Sequence, residues 1–181
     1  MMDVAQLLAK YREGEREFPM ADLRRADLQG ADLRDINLHR ANLSGADLSG
    51  ANLKGANLRR AILIEAKLLE ADLSHADLRR ASLDYAQLQK ANLSNTNLMW
   101  ATLNEADLSE ANLQHGSLQR AVLKRANLSH CQLQSADLIS ADLSGANLTA
   151  ANLIRAHLNL AELSQATFQN TTMPDGSLRL A

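Results

Sequence analysis

Aromatic residues and proline are scarce in this chain of 181 residues, which contains two Phe, two Tyr, one Trp and two Pro. Aromatic side chains usually supply much of the buried area of a globular core, so a core here must be built from leucine and alanine. The single cysteine, Cys131, excludes an intramolecular disulfide and a paired-cysteine metal site. The formal net charge is −2, so no overall field favours nucleic acid or an anionic membrane.

Signals of targeting and of catalysis are missing as well. Residues 1–10 lack the basic region and apolar run of a secretory signal, and no apolar run is long enough to span a bilayer. The five histidines show no metal-ligand spacing, and no glycine-rich phosphate loop occurs. We therefore expect a cytoplasmic protein that is not an enzyme, needs no cofactor and makes no contact with a membrane.

The chain does contain a five-residue repeat, which runs without an insertion from Arg16 to Asn170. Every fifth residue from Leu23 to Leu163 is leucine, and phenylalanine holds this central position at both ends. The position before the centre, from Asp22 to Thr167, holds nine Asp and ten Asn among thirty residues. Two places before the centre stands alanine, and the exceptions are Ile36, Thr96, Gly116 and Cys131.

Neither an α-helix nor a flat strand would bury these leucines together. Five residues turn an α-helix by about 500°, which spreads the leucines over all sides, and in a strand they would alternate between the two faces. A coil with a corner every five residues places each leucine and its preceding alanine inside. Because Asp and Asn interchange, we expect their side-chain oxygens to accept hydrogen bonds from nearby backbone amides in a structural role.

The Ala-(Asp/Asn)-Leu-X-X pattern resembles the motif of the pentapeptide-repeat family over roughly residues 16–170. The resemblance implies an all-β solenoid, a right-handed quadrilateral β-helix with four pentapeptides per coil and about eight coils. Many members of the family come from cyanobacteria, and a cyanobacterial type is expected here.

The two ends differ from the repeat. Residues 1–15 are predicted to hold a short N-terminal α-helical cap, and residues 16–170 the pentapeptide-repeat β-helix. Residues 171–181 are predicted to be a C-terminal tail, because Pro174 and the following Asp-Gly indicate a turn. The features that predict the helix are the apolar face of Val4, Leu7, Leu8 and Tyr11, with Asp3 as N-cap and Gly14 just past the end.

Outward apolar residues near the C-terminal end leave the state of association open. Ile139, Ile154 and Leu160 either hold the tail down or form a seam between two copies of the chain. We therefore expect a monomer or a weak homodimer through the C-terminal end.

If the coil has twenty residues, side chains twenty positions apart stack, and one side of the solenoid becomes a candidate partner-binding face. A basic rim around an exposed aromatic is typical of a protein-binding hot spot. The same arginines could instead serve only solubility, with Trp100 lying over Arg80 or Arg120 in a cation–π contact. We call this surface the Arg/Trp face, and its members are Arg40, Arg59, Arg60, Arg79, Arg80, Met99, Trp100 and Arg120.

A secondary apolar patch is predicted from three outward residues in adjacent repeats and a fourth one coil onward. Exposed apolar clusters often mark contacts, although single hydrophobic residues on a surface are normal. The members of this apolar patch are Ile62, Ile64, Leu69 and Tyr85.

These features favour a non-enzymatic protein–protein interaction or scaffold module, whose protein partner the sequence does not identify. One alternative is a DNA-mimic inhibitor that binds DNA gyrase, as some members of the family do, and another is a purely structural rod. The mimic needs a strongly acidic face, and the gyrase-binding relatives commonly have phenylalanine at the centres, which are leucine here. Nucleic acid is disfavoured as a partner because the basic face is modest and the chain is nearly neutral.

Overall fold

The computed structural model describes residues 3–180, so the outermost positions of the predicted end segments, 1, 2 and 181, lie outside it. The chain begins with helix α1, Val4–Arg12. The Asp3 side chain accepts a hydrogen bond from the Ala5 amide at 3.0 Å, and Gly14 follows the C-cap residue with a φ of 99°. Both predicted helix-end signals are confirmed.

One side of α1 packs against the repeats. Leu7 and Tyr11 are buried, and Val4 and Leu8 are partly buried against the core. The Tyr11 hydroxyl also donates to the carbonyl of Arg34 at 2.9 Å. The predicted apolar face therefore faces the repeat region, and a hydrogen bond ties it there.

The repeat region uses one backbone geometry throughout. The amide of every fifth residue, from Ala21 to Thr171, donates to the carbonyl three residues earlier and closes a turn. The last residue of each repeat lies in the left-handed region, with φ between 55° and 69°. Glycine adopts this conformation without strain, which explains why Gly30, Gly45, Gly50, Gly55 and Gly145 all occupy this position.

Neighbouring passes of the chain are joined by parallel bridges between residues twenty positions apart, from Glu17 with Asn37 to Asn152 with Thr172. Each pass is also held by backbone hydrogen bonds, such as the 2.7 Å bond from the Leu98 amide to the carbonyl of the residue nineteen positions later. Because a repeat has five residues, the chain passes through four repeats before it returns alongside itself. Residues twenty apart therefore stack in columns.

The interior consists almost entirely of leucine and alanine. The leucine centres from Leu23 to Leu153 are at most 1% exposed, and Phe18 and Phe168 are buried at the two ends. The alanines two places before the centres are buried along most of the chain, and the other three positions face outward. The predicted division into inward and outward positions is confirmed.

The Asp and Asn side chains have the predicted structural role. All nineteen at the position before the centre accept a hydrogen bond from the backbone amide two residues later, over 2.9–3.4 Å. Since a carboxylate oxygen and an amide oxygen can both accept this bond, the two residue types interchange at this position.

The chain ends in a small antiparallel hairpin. Strand β1, Thr171–Thr172, pairs with strand β2, Leu178–Arg179, around the predicted Pro-Asp-Gly turn. Leu160 remains 87% exposed, so the alternative in which this residue holds the tail down is wrong. The hairpin instead lies over another part of the last pass, where Arg179 stacks on the Phe168 ring at 3.9 Å.

Candidate functional site

The outermost members of the Arg/Trp face form one straight column. Their shared left-handed backbone, with φ from 56° to 63°, directs each side chain from the same corner of its coil. Backbone hydrogen bonds of 2.9–3.1 Å link each member's amide to the adjacent coil. The column consists of Arg40, Arg60, Arg80, Trp100 and Arg120.

Six of the eight predicted residues surround one surface depression of about 330 Å³. Arg40 continues the column one coil before this depression, and Arg120 continues it one coil beyond Trp100. The structure therefore brings the sequence-predicted residues into one continuous surface. The residues that line the depression are Arg59, Arg60, Arg79, Arg80, Met99 and Trp100.

Asp77 neutralises the inner part of this surface. Two hydrogen bonds, of 2.8 and 2.5 Å, join its carboxylate to the Arg79 guanidinium, and Arg59 Nε lies 3.8 Å from Asp77 Oδ2. Burial acts to raise the pKa of Asp77, but the Arg79 side-chain and backbone hydrogen bonds outweigh it and leave that pKa lowered. Asp77 is therefore ionised at neutral pH and holds the Arg79 guanidinium in place.

The outer arginines are differently placed. Within residues 3–180, Arg40, Arg60 and Arg80 form no ion pair and no side-chain hydrogen bond. All three are exposed, and neighbouring coils in a parallel ladder lie about 4.8 Å apart. Like charges at this spacing repel each other, so the column presents positive charge that nothing in the described chain compensates.

Trp100 stands between Arg80 and Arg120 in the column. The guanidinium carbon of Arg120 is 4.6 Å from the centroid of its ring, which is the cation–π contact considered from the sequence. The indole is still 44% exposed. One face of the ring is therefore covered from within the chain, and a large apolar surface remains available beside Arg80.

Sequence reasoning missed Asp77 as a member of this surface. A signal was present, because Asp before a centre and Arg after it stand on the same outward side of one repeat. This Asp-Leu-Arg arrangement occurs also at Asp22 and Asp32, and in each case the arginine forms a two-bond pair with its aspartate. The pairing could have been predicted from the spacing alone.

The members of the apolar patch, unlike those of the Arg/Trp face, do not line one depression. Tyr85 is 52% exposed, Ile62 and Leu69 are each 37% exposed, and Ile64 is half-buried. Ile64 lines one depression and Tyr85 a different one. The structure therefore does not join these four residues around a common cavity.

Cys131 is a residue of the packed core. Cys131 is buried, its Sγ donates to the carbonyl of Leu108 at 2.8 Å, and burial raises the pKa of its thiol. A thiol held protonated in this way is a poor nucleophile.

Among residues 3–180, no three His, Cys, Asp or Glu side chains are arranged to hold a metal ion. No helix in the described part is long and apolar enough to cross a membrane.

Several solved structures resemble this chain. HetL, a pentapeptide repeat protein involved in heterocyst differentiation regulation in the cyanobacterium Nostoc sp. strain PCC 7120, is 31% identical; the match covers 99% of this chain and 100% of HetL, with a TM-score of 0.55. The Nostoc pentapeptide repeat protein alr5209 is 39% identical over 62% of this chain and 84% of its own, with a TM-score of 0.30.

A more distant likeness concerns the fold alone. QnrB1, a plasmid-mediated fluoroquinolone resistance protein, is 17% identical over 87% of this chain and 81% of its own, with a TM-score of 0.54. No curated protein sequence matches the chain.

The family profile described as pentapeptide repeats matches the chain in overlapping windows that together run from residue 21 to residue 179. The chain therefore belongs to the pentapeptide-repeat family and has its solenoid fold.

Proposed function

We propose that this protein is a non-enzymatic binding scaffold that holds a protein partner against the Arg/Trp face. The observation that carries the proposal is the depression where uncompensated arginines meet an exposed tryptophan. Arginine and tryptophan are the residue types most enriched at the energetic centre of protein interfaces. A solenoid loses little conformational freedom when it binds, which suits a scaffold.

The proposal includes a finer architecture. We infer a right-handed, four-sided β-helix over residues 16–170, with about eight coils and a length of roughly 37 Å. Residues 1–15 would cover its first coil through α1, and residues 171–181 would form a tail. The parallel bridges twenty residues apart and the burial of Leu7 and Tyr11 support this architecture.

The alternative functions have weaker support. A gyrase-binding DNA mimic needs an acidic face, whereas the surface depression beside Trp100 is lined by four arginines. A purely structural rod gives no reason for a column of unpaired arginines that repel one another. A cytoplasmic location stays a prediction.

The proposal is tested by capture of binding proteins from an extract of the native cells. The wild type is compared with a variant that carries Arg60→Glu, Arg80→Glu and Trp100→Ala. We expect at least one protein to bind the wild type and to be lost from this variant, while its circular dichroism spectrum and melting temperature stay close to those of the wild type.

A matched control changes two arginines and one exposed aromatic residue elsewhere on the solenoid. Arg25→Glu, Arg155→Glu and Tyr85→Ala all lie at the last position of a repeat and share the left-handed backbone. The control should retain the captured protein. Equal binding to all three proteins would overturn the proposal, and loss from the control alone would move the site to the apolar patch.

A further inference from the structure

We infer that the Arg/Trp face recognises an acidic α-helix of its partner, which lies along the stacking direction of the coils. Carboxylates on successive turns of this helix meet Arg40, Arg60 and Arg80, and an apolar side chain meets Trp100. The inference rests on the proposed function and adds the charge, the secondary structure and the orientation of the ligand.

The Arg/Trp face is basic. Four arginines line the depression and Arg40 extends it, and the one carboxylate paired with them is that of Asp77, although the whole chain has a net charge of −2. Asp77 is already engaged by Arg79. Three exposed arginines are left to face solvent, so a ligand with carboxylates at matching intervals would relieve their mutual repulsion.

The axial spacing of the column matches the spacing of side chains along one side of an α-helix. The stacking interval of about 4.8 Å puts Arg60, Arg80 and Trp100 at about 4.8, 9.6 and 14.4 Å from Arg40 along the axis. An α-helix rises about 1.5 Å per residue, so positions i+3, i+7 and i+10 lie at about 4.5, 10.5 and 15 Å and on one side. All four positions agree with the column to within about 1 Å.

An extended strand does not match in the same way. Side chains on one face of a strand are about 6.8 Å apart, which gives about 6.8, 13.6 and 20.4 Å for the next three positions. The mismatch reaches about 6 Å at Trp100. The column therefore favours a helical ligand over an extended one, even though arginine side chains are flexible.

The fourth ligand position, i+10, lies opposite Trp100. Arg120 covers one face of the Trp100 ring, and Met99 lies beside Trp100 in the depression. Met99 and the exposed part of Trp100 provide apolar surface next to the basic column, so a leucine or a phenylalanine at i+10 would contact them. A single aromatic that already stacks on an arginine is a poor platform for successive bases of a single-stranded nucleic acid.

The test uses synthetic peptides, because Trp100 is the only tryptophan in the chain and reports directly on the site. The probe is a helical peptide without aromatic residues that has glutamate at i, i+3 and i+7 and leucine at i+10. Its composition-matched control spreads the same residues around the helix. A third peptide has glutamate at alternate positions of an extended sequence, and a short oligothymidylate serves as the nucleic-acid competitor.

We expect saturable change of the Trp100 fluorescence with the striped helix, with an affinity about ten-fold above that of the spread control, since three exposed ion pairs together contribute about this factor. The affinity should fall as the salt concentration rises. Arg60→Glu with Arg80→Glu should abolish the response. Arg25→Glu with Arg155→Glu, which changes the net charge equally at the same repeat position, should leave the response unchanged.

Three results would overturn the inference: equal affinity for the striped and the spread helix, tighter binding of the extended peptide, or tighter binding of the oligothymidylate. None of these results removes the proposed function if the cell extract still yields a protein that depends on Arg60, Arg80 and Trp100. Loss of both the peptide response and the captured protein would remove the two together.

Discussion

At the scale of single residues, the left-handed corner is the most demanding position of the repeat. Most corners hold a residue other than glycine, with φ between 55° and 63°. A side chain in this conformation costs roughly 1 kcal/mol relative to glycine. The turn bond and the bonds to neighbouring coils hold these residues in place, so the strain is carried by the rest of the coil.

A corner alanine provides a direct measure of this strain. Ala150 has a φ of 56°, and Ala150→Gly should raise the free energy of unfolding by about 0.5–1 kcal/mol, because glycine adopts the left-handed region without a clash. The measurement is chemical denaturation of the purified variant beside the wild type.

The next residue is the matched control. Ala151 is 1% exposed and does not have a positive φ, so Ala151→Gly should lower the free energy of unfolding by about 1 kcal/mol through loss of a buried methyl group and greater freedom of the unfolded chain. The two substitutions should thus have opposite signs. Destabilisation by both would show that the corner is not strained.

Gly116 stands at an inward position that usually holds alanine, and the space around it, not its backbone conformation, accounts for the glycine. Gly116 has no positive φ, and a methyl group there would lie 3.0 Å from the carbonyl oxygen of Leu113 and 3.6 Å from Thr96 Oγ1. Thr96 is the inward residue of the preceding coil, and its hydroxyl donates to the carbonyl of Leu93 at 2.6 Å. A larger inward residue is thus stacked on a smaller one.

At the scale of the repeat, the Asp and Asn side chains stabilise the coil through one shared hydrogen bond but differ in their response to pH. The pKa values of Asp22 and Asp32 are lowered by side-chain hydrogen bonds from Arg24 and Arg34 respectively. The pKa of Asp47 is lowered by the hydrogen bond from Ser49. A folded pKa below the unfolded value means that these carboxylates stabilise the fold above that unfolded value.

The melting temperature should therefore be nearly constant from pH 7 to about pH 5 and should fall as the pH drops below about 4, where the carboxylates begin to take up protons. A variant with Asp22→Asn, Asp32→Asn and Asp47→Asn should have a smaller fall, because asparagine keeps the oxygen that accepts the backbone bond and does not titrate. Thermal melts followed by circular dichroism from pH 2.5 to 7 provide the comparison.

Identical acid slopes for the wild type and this variant would show that the titration of other groups controls acid unfolding. The pairs are exposed, so each is expected to contribute little at neutral pH. The comparison of slopes therefore tests the hypothesis better than the melting temperature at one pH.

At the scale of the whole molecule, the two ends are unequal. At the N-terminal end, α1 packs Leu7 and Tyr11 against the first repeats. At the other end Leu158 and Leu163 are only partly buried. Among the described residues no backbone group accepts a hydrogen bond from the Leu158 or Leu163 amide.

In a repeat protein each coil is stabilised mainly by its neighbours, so the last pass should open most easily. We expect the amides of residues 158–170 to exchange with solvent at least about a hundred-fold faster than those around Leu98, since their opening needs far less than global unfolding. Hydrogen exchange followed by mass spectrometry measures this directly.

Uniform protection along the chain would contradict this expectation. Protection of residues 158–170 that increases with protein concentration would instead support the weak homodimer through the C-terminal end. An experiment at two concentrations therefore distinguishes a free end from one covered by a second copy.

Much of the fold follows from the sequence. The strict spacing of five, with leucine at each centre, leaves only a cornered coil as a way to bury every leucine, and Asp3 and Gly14 mark the helix ends. The Asp and Asn pattern likewise predicts the turn bonds. The C-terminal hairpin could not be predicted, because its pairing depends on where the last pass of the chain leaves room.

The membership of the Arg/Trp face could also be read from the sequence once residues twenty apart were assumed to stack. The sequence could not show which of these arginines lack an ion-pair partner, because that depends on side-chain geometry across neighbouring coils. Asp77 engages Arg79 and approaches Arg59, while Arg60 and Arg80 at the corner are beyond its reach. Repetition determines a periodic backbone, whereas the charge that the surface presents is decided by contacts between coils.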